Sequence, residues 1–344
     1  MKKIKMIFLK LTVITIVVTV LSSCGNQDVE FPDFKYQTVY FANQYPGRTI
    51  TLGEHEFVNV SLDNEHKAII NATTGGVYQN KKDINISFRV DESLCNNLFF
   101  ANGTAVIPMP STHYTLSSND KFTIPARSML GGVEVKLTDA FFADPLSVGR
   151  NYVIPLVMTN VQGADTILKG DPAIANPDRC IASNWTVAPK DFVLYGINYV
   201  NPWHGNYLRR GVDQISGAIN TTNVRHSKFV ETDQGVSLRT SSMTKLTLSL
   251  SVKNDSGGDV AYVLELNFTG NETCTVSGSS AIYEATGTGK FVKKGDKLGG
   301  LDADVLHLDY TVKFPALNQT YATKDTLVLR DRGVSPEYFT VTRK

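Results

Sequence analysis

The chain has 344 residues, 19% of them charged, and its formal net charge is +1. Residues 1–23 contain four Lys and no acid, so the remainder carries −3 and has no basic patch of the kind that binds nucleic acid. The remaining length suits two folded domains of ordinary size.

The N-terminal segment predicts export and lipid attachment. Four lysines surround the start of an apolar run, residues 11–21, which has signal-peptide length and is too short to span a bilayer. Leu21-Ser-Ser-Cys24 follows and resembles a bacterial lipobox. We therefore expect residues 1–23 to be removed and Cys24 to be acylated, with acyl chains as a membrane anchor. The alternative is an ordinary secretory signal followed by a chance Cys.

Two acids after Cys24 bear on the location. Asp28 and Glu30 resemble the export signal of Bacteroidetes lipoproteins that face outward from the outer membrane. We expect residues 24–35 to form a surface tether and the protein to face the cell exterior. The periplasmic leaflet is the alternative.

The cysteines give no sign of a metal site. Cys95, Cys180 and Cys274 are widely spaced, and the chain has no CxxC and no Cys/His cluster. A Cys95–Cys180 disulfide and three free thiols both remain open.

Residues 36–177 predict an immunoglobulin-like β-sandwich, because short strands alternate with turn residues and no long 3.6-residue period occurs. Gly131-Gly132 indicates a turn before one strand, and Pro155 marks an edge or bulge position in another. The predicted strands include 37–42, 57–60, 84–90, 131–137 and 152–158.

Several motifs in this domain carry a family resemblance: Thr73–Asn80, Val90–Leu94, His113–Leu116, Lys136–Phe142 and Tyr152–Leu156. They resemble the N-terminal domain of a Bacteroidetes surface-lipoprotein family encoded in polysaccharide-utilisation loci. A similar domain precedes the catalytic barrel of some family 18 endo-β-N-acetylglucosaminidases. The resemblance implies glycan acquisition and supplies no catalytic residue.

Residues 178–344 predict a second all-β domain, after a Gly- and Pro-rich join at 163–191. Apolar residues alternate over 246–252, 262–268 and 306–314, and residues 254–258 read as a hairpin turn. One apolar face per strand and short polar turns favour an antiparallel barrel or sandwich.

The densest cluster of unusual residues, 199–211, opens the second domain. With residues 323–332 it resembles the C-terminal domain of the same family. Gly205-Asn-Tyr207 and the late Arg330 also resemble calycin barrels, in which an aromatic closes the barrel and stacks on a late Arg. Calycins prefer Trp where this chain has Tyr207.

This cluster is a candidate sugar-binding site, since sugars need an aromatic to stack on and planar polar groups for the hydroxyl rim. The alternative is structural: Tyr207 begins the first barrel strand, Trp203 plugs the barrel end, and Arg210 pairs with a core carboxylate. Trp185, near the join, is a further candidate, with packing between domains as its alternative. The candidates are Tyr199, Trp203, His204, Tyr207, Arg209, Arg210 and Trp185.

No sequence signal of catalysis or of a cofactor is present. Residues 302–309 lack the Asp-x-x-Asp-x-Asp-x-Glu spacing of a family 18 glycosidase, and HExxH, GxSxG and phosphate-binding Gly loops are absent. Together with this absence, the family resemblance implies a non-catalytic lipoprotein that captures polysaccharide or glycoprotein glycans for an importer or hydrolase of the same locus. A glycoside hydrolase, or an accessory protein of one, is a further alternative.

The rival hypothesis is an adhesin or fimbrillin-like structural protein. Fimbrillins assemble by strand exchange after cleavage at an Arg. Arg48, in the turn-like sequence Tyr45-Pro-Gly-Arg48, is the first Arg after Cys24. Cleavage there would release the predicted strand 37–42.

Overall fold

The computed structural model describes residues 32–254, 256–270 and 272–344, and strands dominate it. The prediction of an all-β protein is confirmed. The expected signal peptide and the lipid attachment at Cys24 lie outside the described residues. In the described part of the chain, no helix has the length and apolar character needed to cross a membrane.

The chain first builds a two-sheet sandwich and its flanking ribbons. Its strands are β1 (Thr38–Tyr40), β2 (Pro46–Thr51), β3 (Lys67–Gly75), β4 (Ile84–Val90), β5 (Leu98–Phe100), β6 (Ile107–Pro108), β7 (Tyr114–Leu116), β8 (Lys121–Ile124), β9 (Leu130–Leu137), β10 (Tyr152–Gln162), β11 (Thr166–Ile167), β12 (Asp171–Pro172), β13 (Trp185–Val187) and β14 (Phe192–Val200).

The two sheets enclose one apolar core. One sheet has the order β11-β1-β3-β9-β7, and the other contains β2-β14-β10-β4-β8, with β6 beside β10. Val39, Ile70 and Val135 from the first sheet join Ile86 and Leu156 from the second in a single buried cluster. The alternating pattern of β4 arises because only every second residue faces this core.

Helices are short. α1 (Ser61–Asn64) and α2 (Asp139–Ala143) are α-helical. The single-turn 3₁₀ helices are Glu92–Cys95, Pro145–Ser147, Ala182–Asn184, Val230–Thr232 and Pro315–Leu317. The predicted strand at 57–60 is wrong: these residues form the approach to α1, and Phe57 is 84% exposed.

The glycine pair Gly131-Gly132 lies inside β9, so the predicted turn is wrong. A Cβ on Gly131 would lie 2.2 Å from the carbonyl oxygen of Thr123, and one on Gly132 would lie 2.3 Å from that of Ile70. The glycines are needed because neighbouring backbone approaches too closely for any side chain.

Pro155 was predicted to mark an edge or bulge position, and the structure places it elsewhere. It lies within β10, opposite Leu194 of β14, just beyond the point where β4 stops pairing. The irregularity of β10 falls between Met158 and Asn160 instead. Pro155 therefore occupies an interior strand, at the end of one ladder.

The second part of the chain forms a closed barrel. Its strands are β15 (Gly205–Gly217), β16 (Thr221–Arg225), β17 (Gln234–Thr240), β18 (Lys245–Lys253), β19 (Asp259–Thr269), β20 (Thr273–Ser279), β21 (Glu284–Leu298), β22 (Leu301–Phe314) and β23 (Gln319–Asp331).

Eight of these strands close on themselves, because β23 pairs with β15 along most of its length. β16 pairs with the distal part of β15. Leu246, Leu248 and Leu250 face the interior, as the alternation predicts. The prediction of an antiparallel barrel for this part of the chain is confirmed. The alternative prediction, a second sandwich, is wrong.

The sandwich also uses residues from beyond the predicted boundary at 178. β14 pairs with β10 and β2 in the sandwich. After the barrel, β24 (Glu337–Tyr338) pairs with β2, and β25 (Val341–Arg343) pairs with β5. The barrel is thus inserted between strands of the sandwich.

The three described cysteines, Cys95, Cys180 and Cys274, carry free thiols. Burial raises the pKa of Cys95 to about 12 and that of Cys274 to about 11. The sequence left a Cys95–Cys180 disulfide and three free thiols open, and the structure has the free thiols.

Candidate functional site

The two aromatics at the start of the barrel are buried. Trp203 is 5% exposed and stacks on Phe268, with ring centroids 3.8 Å apart and planes 9° from parallel. The Tyr207 hydroxyl donates to the carbonyl oxygen of Trp203 at 2.7 Å. A buried ring offers no face to a sugar, so these candidates plug the barrel end instead.

Tyr199 belongs to the other domain core. It is 1% exposed, its ring packs on Phe141 and Phe142, and its hydroxyl donates to the carbonyl oxygen of Phe142 at 3.1 Å. The structure therefore separates Tyr199 from the barrel residues next to it in sequence and makes it a packing residue.

The two candidate arginines are held by buried carboxylates. Arg209 donates through Nε to Asp325 at 2.8 Å and through Nη2 to the Tyr310 hydroxyl at 3.1 Å. Arg210 donates through Nε to the buried carboxylate of Asp233 at 2.6 Å. The Arg209 pair ties β15 to β23, and the Arg210 pair ties β15 to the turn before β17.

Asp325 centres a polar network inside the barrel. Arg225, from β16, donates to Asp325 at 2.9 Å and to Asp213 at 2.7 Å. Thr323 also donates to Asp213, at 2.9 Å. Two guanidiniums and two carboxylates balance, so this network neutralises its own charge and fixes the register of β15, β16 and β23.

His204 is held as a neutral imidazole. Its Nδ1 accepts from the backbone N–H of Thr240 at 3.1 Å. Burial lowers its pKa from 6.5 to about 4, and the nearby Arg239 and Arg332 act in the same direction. As a neutral hydrogen-bond acceptor for the neighbouring strand, His204 has a structural role.

Trp185 opens β13, which pairs with β12. Its indole N–H donates to the carbonyl oxygen of Asp178 at 2.7 Å, and the side chain is half-buried. It braces the ribbon at the join, and this ribbon is a sheet of its own, separate from the barrel sheet.

A late arginine does close the barrel end, two residues beyond the predicted one. Arg332 is 5% exposed and donates to backbone carbonyls of both domains. Arg330 is exposed and pairs with its neighbour Asp331. The four acceptors of Arg332 are Leu52 at 3.1 Å, Glu54 at 2.7 Å, Asn201 at 2.8 Å and His204 at 2.8 Å.

One exposed groove carries aromatic rings. Phe34 is 80% exposed and Tyr78 is 71% exposed. The groove has a volume of about 620 Å³, which falls in the range of small-molecule sites. We call it the aromatic groove, and its lining is Pro32, Asp33, Phe34, Lys35, Gly76, Val77 and Tyr78.

Backbone contacts position these rings. The N–H of Phe34 donates to the carbonyl oxygen of Gly76 at 2.8 Å, and the N–H of Tyr78 donates to Oδ1 of Asp33 at 2.7 Å. Gly76 has φ +90°, and a Cβ there would lie 2.2 Å from the carbonyl oxygen of Tyr36. Only glycine lets the end of β3 approach the N-terminal segment this closely.

A second groove, of about 750 Å³, runs across the outer wall of the barrel. Gly289 faces inward there, and a Cβ would lie 2.6 Å from Cδ2 of Leu308, so this strand lies close to the core. We call it the barrel-wall groove. Its exposed side chains are Thr269, Thr273, Thr275, Thr288, Lys290, His307, Asp309 and Lys324, and Thr326 is half-buried.

Sequence reasoning missed both grooves. Tyr78 lies in the motif Thr73–Asn80, which carries the family resemblance, and Phe34 lies in the expected tether. The signal that was available is the pairing of aromatic and charged residues in Asp33-Phe34-Lys35. Within the described residues, no group of three or more His, Cys, Asp or Glu side chains could hold a metal ion.

Comparisons with known proteins place the chain in a two-domain family. Residues 202–333 match a family described as a domain of unknown function, DUF5627, and residues 34–165 match a family of N-terminal domains. A crystal structure of a Bacteroides ovatus protein of unknown function is 51% identical, with a TM-score of 0.87. The match covers 90% of this chain and 100% of that one.

A second solved structure is an auxiliary nutrient binding protein from Bacteroides thetaiotaomicron. It is 13% identical over 82% of this chain and 90% of that one, with a TM-score of 0.38. That likeness is too low to bear on fold or function. No curated protein matches the chain.

Proposed function

We propose, from the premise that this chain belongs to the same family as the Bacteroides ovatus protein, that it is a non-catalytic glycan-capture protein. It would bind polysaccharide or glycoprotein glycans at the cell surface. It would then present them to an importer or hydrolase encoded in the same locus.

The aromatic groove is the observation that carries this proposal. A pyranose has an apolar C–H face, and Phe34 and Tyr78 offer exposed rings for such a face to cover. Buried rings such as Trp203 cannot do this. The proposed site therefore moves from the barrel entry to the end of the sandwich.

The rim of this groove suits hydroxyl groups. Asp33 uses Oδ1 to accept from the Tyr78 backbone, which leaves Oδ2 for a sugar hydroxyl. Lys35 is exposed beside it, and its ammonium can donate. A ring platform flanked by an acceptor and a donor is a binding arrangement that requires no covalent step.

The proposed location follows from the sequence. Acylation of Cys24 would hold the protein on the outer leaflet of the outer membrane, and a tethered site retains a polymer through several weak contacts. Radiolabelled palmitate should enter the parent and not a Cys24→Ser variant. Protease added to intact cells should digest the protein if it faces outward, and spare it if it faces the periplasm.

Affinity electrophoresis of residues 25–344 against host mucin glycans, N-glycans and plant polysaccharides tests capture. The Tyr78→Ala variant should lose about tenfold in affinity for the retained glycan, since one stacked ring contributes ~1.4 kcal/mol. Phe57→Ala is the matched control, because Phe57 is 84% exposed and lies outside the groove. Equal loss in both variants would count against the site.

Reducing-end release is assayed in parallel with binding. Retention without release supports capture. Release of sugar by the parent protein would overturn the non-catalytic part of the proposal. If the parent protein neither binds nor cleaves any glycan tested, a structural role would be favoured.

The fimbrillin-like alternative has little support in the fold. Arg48 lies within β2, between β14 and β24, and its guanidinium pairs with Asp63, which is 1% exposed. The predicted turn at Tyr45–Arg48 is therefore wrong. A protease would need β2 to unfold before it could cleave there.

A further inference from the structure

The barrel-wall groove has a chemistry that differs from that of the aromatic groove. It is the larger of the two, at about 750 Å³ against about 620 Å³, and its lining contains no Phe, Tyr or Trp. A neutral sugar face finds no large aromatic ring to stack on there. Recognition in this groove must therefore come from hydrogen bonds and charge.

Strand register aligns one row of polar side chains across four strands. Thr273 of β20 lies opposite Lys290 of β21, which lies opposite His307 of β22, which lies opposite Thr326 of β23. Neighbouring strands are ~4.8 Å apart, so the row spans ~14 Å. Nδ1 of His307 and Oγ1 of Thr326 are 3.2 Å apart, and Nε2 is not used in that contact.

A second row runs parallel to the first, two residues along each strand. Thr275 lies opposite Thr288, which lies opposite Asp309, which lies opposite Lys324. The Lys324 ammonium lies 3.5 Å from the Asp309 carboxylate, so these two charges compensate each other. The second row thus offers threonine hydroxyls and one ion pair to a ligand.

Lys290 remains as the uncompensated charge of the groove. Within the described residues, no carboxylate lies within 4 Å of its ammonium, and its side chain is exposed. An exposed cation surrounded by threonine hydroxyls and an imidazole complements a ligand that combines an anionic group with many hydroxyls.

We propose that the barrel-wall groove binds acidic saccharides, with Lys290 on the carboxylate or sulfate and the threonines on neighbouring hydroxyls. This inference rests on the proposed glycan capture and adds a second subsite with its own ligand class. The anionic group could come from a uronic acid of plant polysaccharide or from a sulfated host glycan, and both present the same chemistry to Lys290.

The test is affinity electrophoresis of residues 25–344 in gels containing polygalacturonate, chondroitin sulfate or neutral dextran. The parent should be retarded by at least one acidic polymer, and high salt should weaken that retardation because the contact is exposed. Retardation by polygalacturonate would show that a carboxylate is sufficient and would identify the uronate source. Retardation by chondroitin sulfate alone would show that the sulfate is required, because both polymers carry uronate carboxylates, and would identify the sulfated host source. No retardation by either acidic polymer would overturn the inference.

The Lys290→Gln variant should weaken retardation by the acidic polymer about fivefold, the effect of one exposed ion pair. Lys313→Gln is the matched control. Lys313 is exposed on the outer face of β22, has no carboxylate within 4 Å in the described part of the chain, and lies outside the groove. Equal loss in both variants would mean general charge attraction and would refute the site.

The Tyr78→Ala variant separates this inference from the proposed function. It should lose a neutral glycan and keep the acidic polymer, whereas Lys290→Gln should do the reverse. Loss of acidic binding in Tyr78→Ala with no effect of Lys290→Gln would assign all capture to the aromatic groove and contradict a second subsite.

Discussion

Replacing Arg332 by Met should weaken the junction between the barrel and the sandwich. The guanidinium donates to carbonyls of Leu52 and Glu54 in the sandwich and of Asn201 and His204 at the barrel entry. Met fills similar space without donors, so the four acceptors would lose a buried partner.

The magnitude follows from those contacts. A hydrogen bond to a charged group contributes ~1.5–3 kcal/mol, but burial without a carboxylate costs desolvation, which also lowers the pKa of Arg332. We expect the variant to lose ~3–4 kcal/mol of unfolding free energy. At ~2 °C per kcal/mol for a chain of this size, Tm should fall by ~6–8 °C.

Calorimetry of the parent, Arg332→Met and Arg330→Met measures this difference. Arg330 is exposed and pairs with the adjacent Asp331, so its replacement should change the unfolding free energy by less than ~0.5 kcal/mol. Equal Tm shifts in the two variants would refute the assignment of Arg332 as the closing arginine.

Three further predictions concern stability. His204 is neutral in the folded state, so unfolding free energy should fall by ~2 kcal/mol as pH drops from 6.5 to about 4, and urea titrations of His204→Gln should lack this slope. Asp325→Asn removes the carboxylate that pairs with the buried guanidinium of Arg209, while Arg225 keeps Asp213, and should cost ~3–5 kcal/mol in the same titrations. Gly131→Ala should destabilise by ~1–3 kcal/mol, whereas Gly235→Ala, with open space around its Cβ, should be nearly neutral in thermal unfolding.

Period-two alternation predicted the strands well because one face of each is buried. The pattern over residues 306–314 puts Leu306, Leu308 and Tyr310 inside the barrel, as the structure has them. Alternation alone could not tell a barrel from a sandwich, since closure depends on β23 returning to pair with β15. That contact joins residues more than 100 positions apart, which local patterns do not encode.

Most of the candidate site residues lie in buried or paired positions, which their residue types did not reveal. Residue type suggested sugar binding for Trp203 and Arg209, but a plug and a buried ion pair use the same residue types. Exposure decides between them, and it is set by the whole fold. The sequence did suggest the structural alternative for Trp203, Tyr207 and Arg210, and the observed contacts match that alternative.

The most direct test of the proposed function is the affinity of residues 25–344 for a retained glycan, measured for the parent, Tyr78→Ala and Phe57→Ala. Capture through the aromatic groove predicts about a tenfold loss for Tyr78→Ala and no change for Phe57→Ala. Unchanged binding in Tyr78→Ala, with the protein folded, would contradict the assignment of glycan capture to this groove.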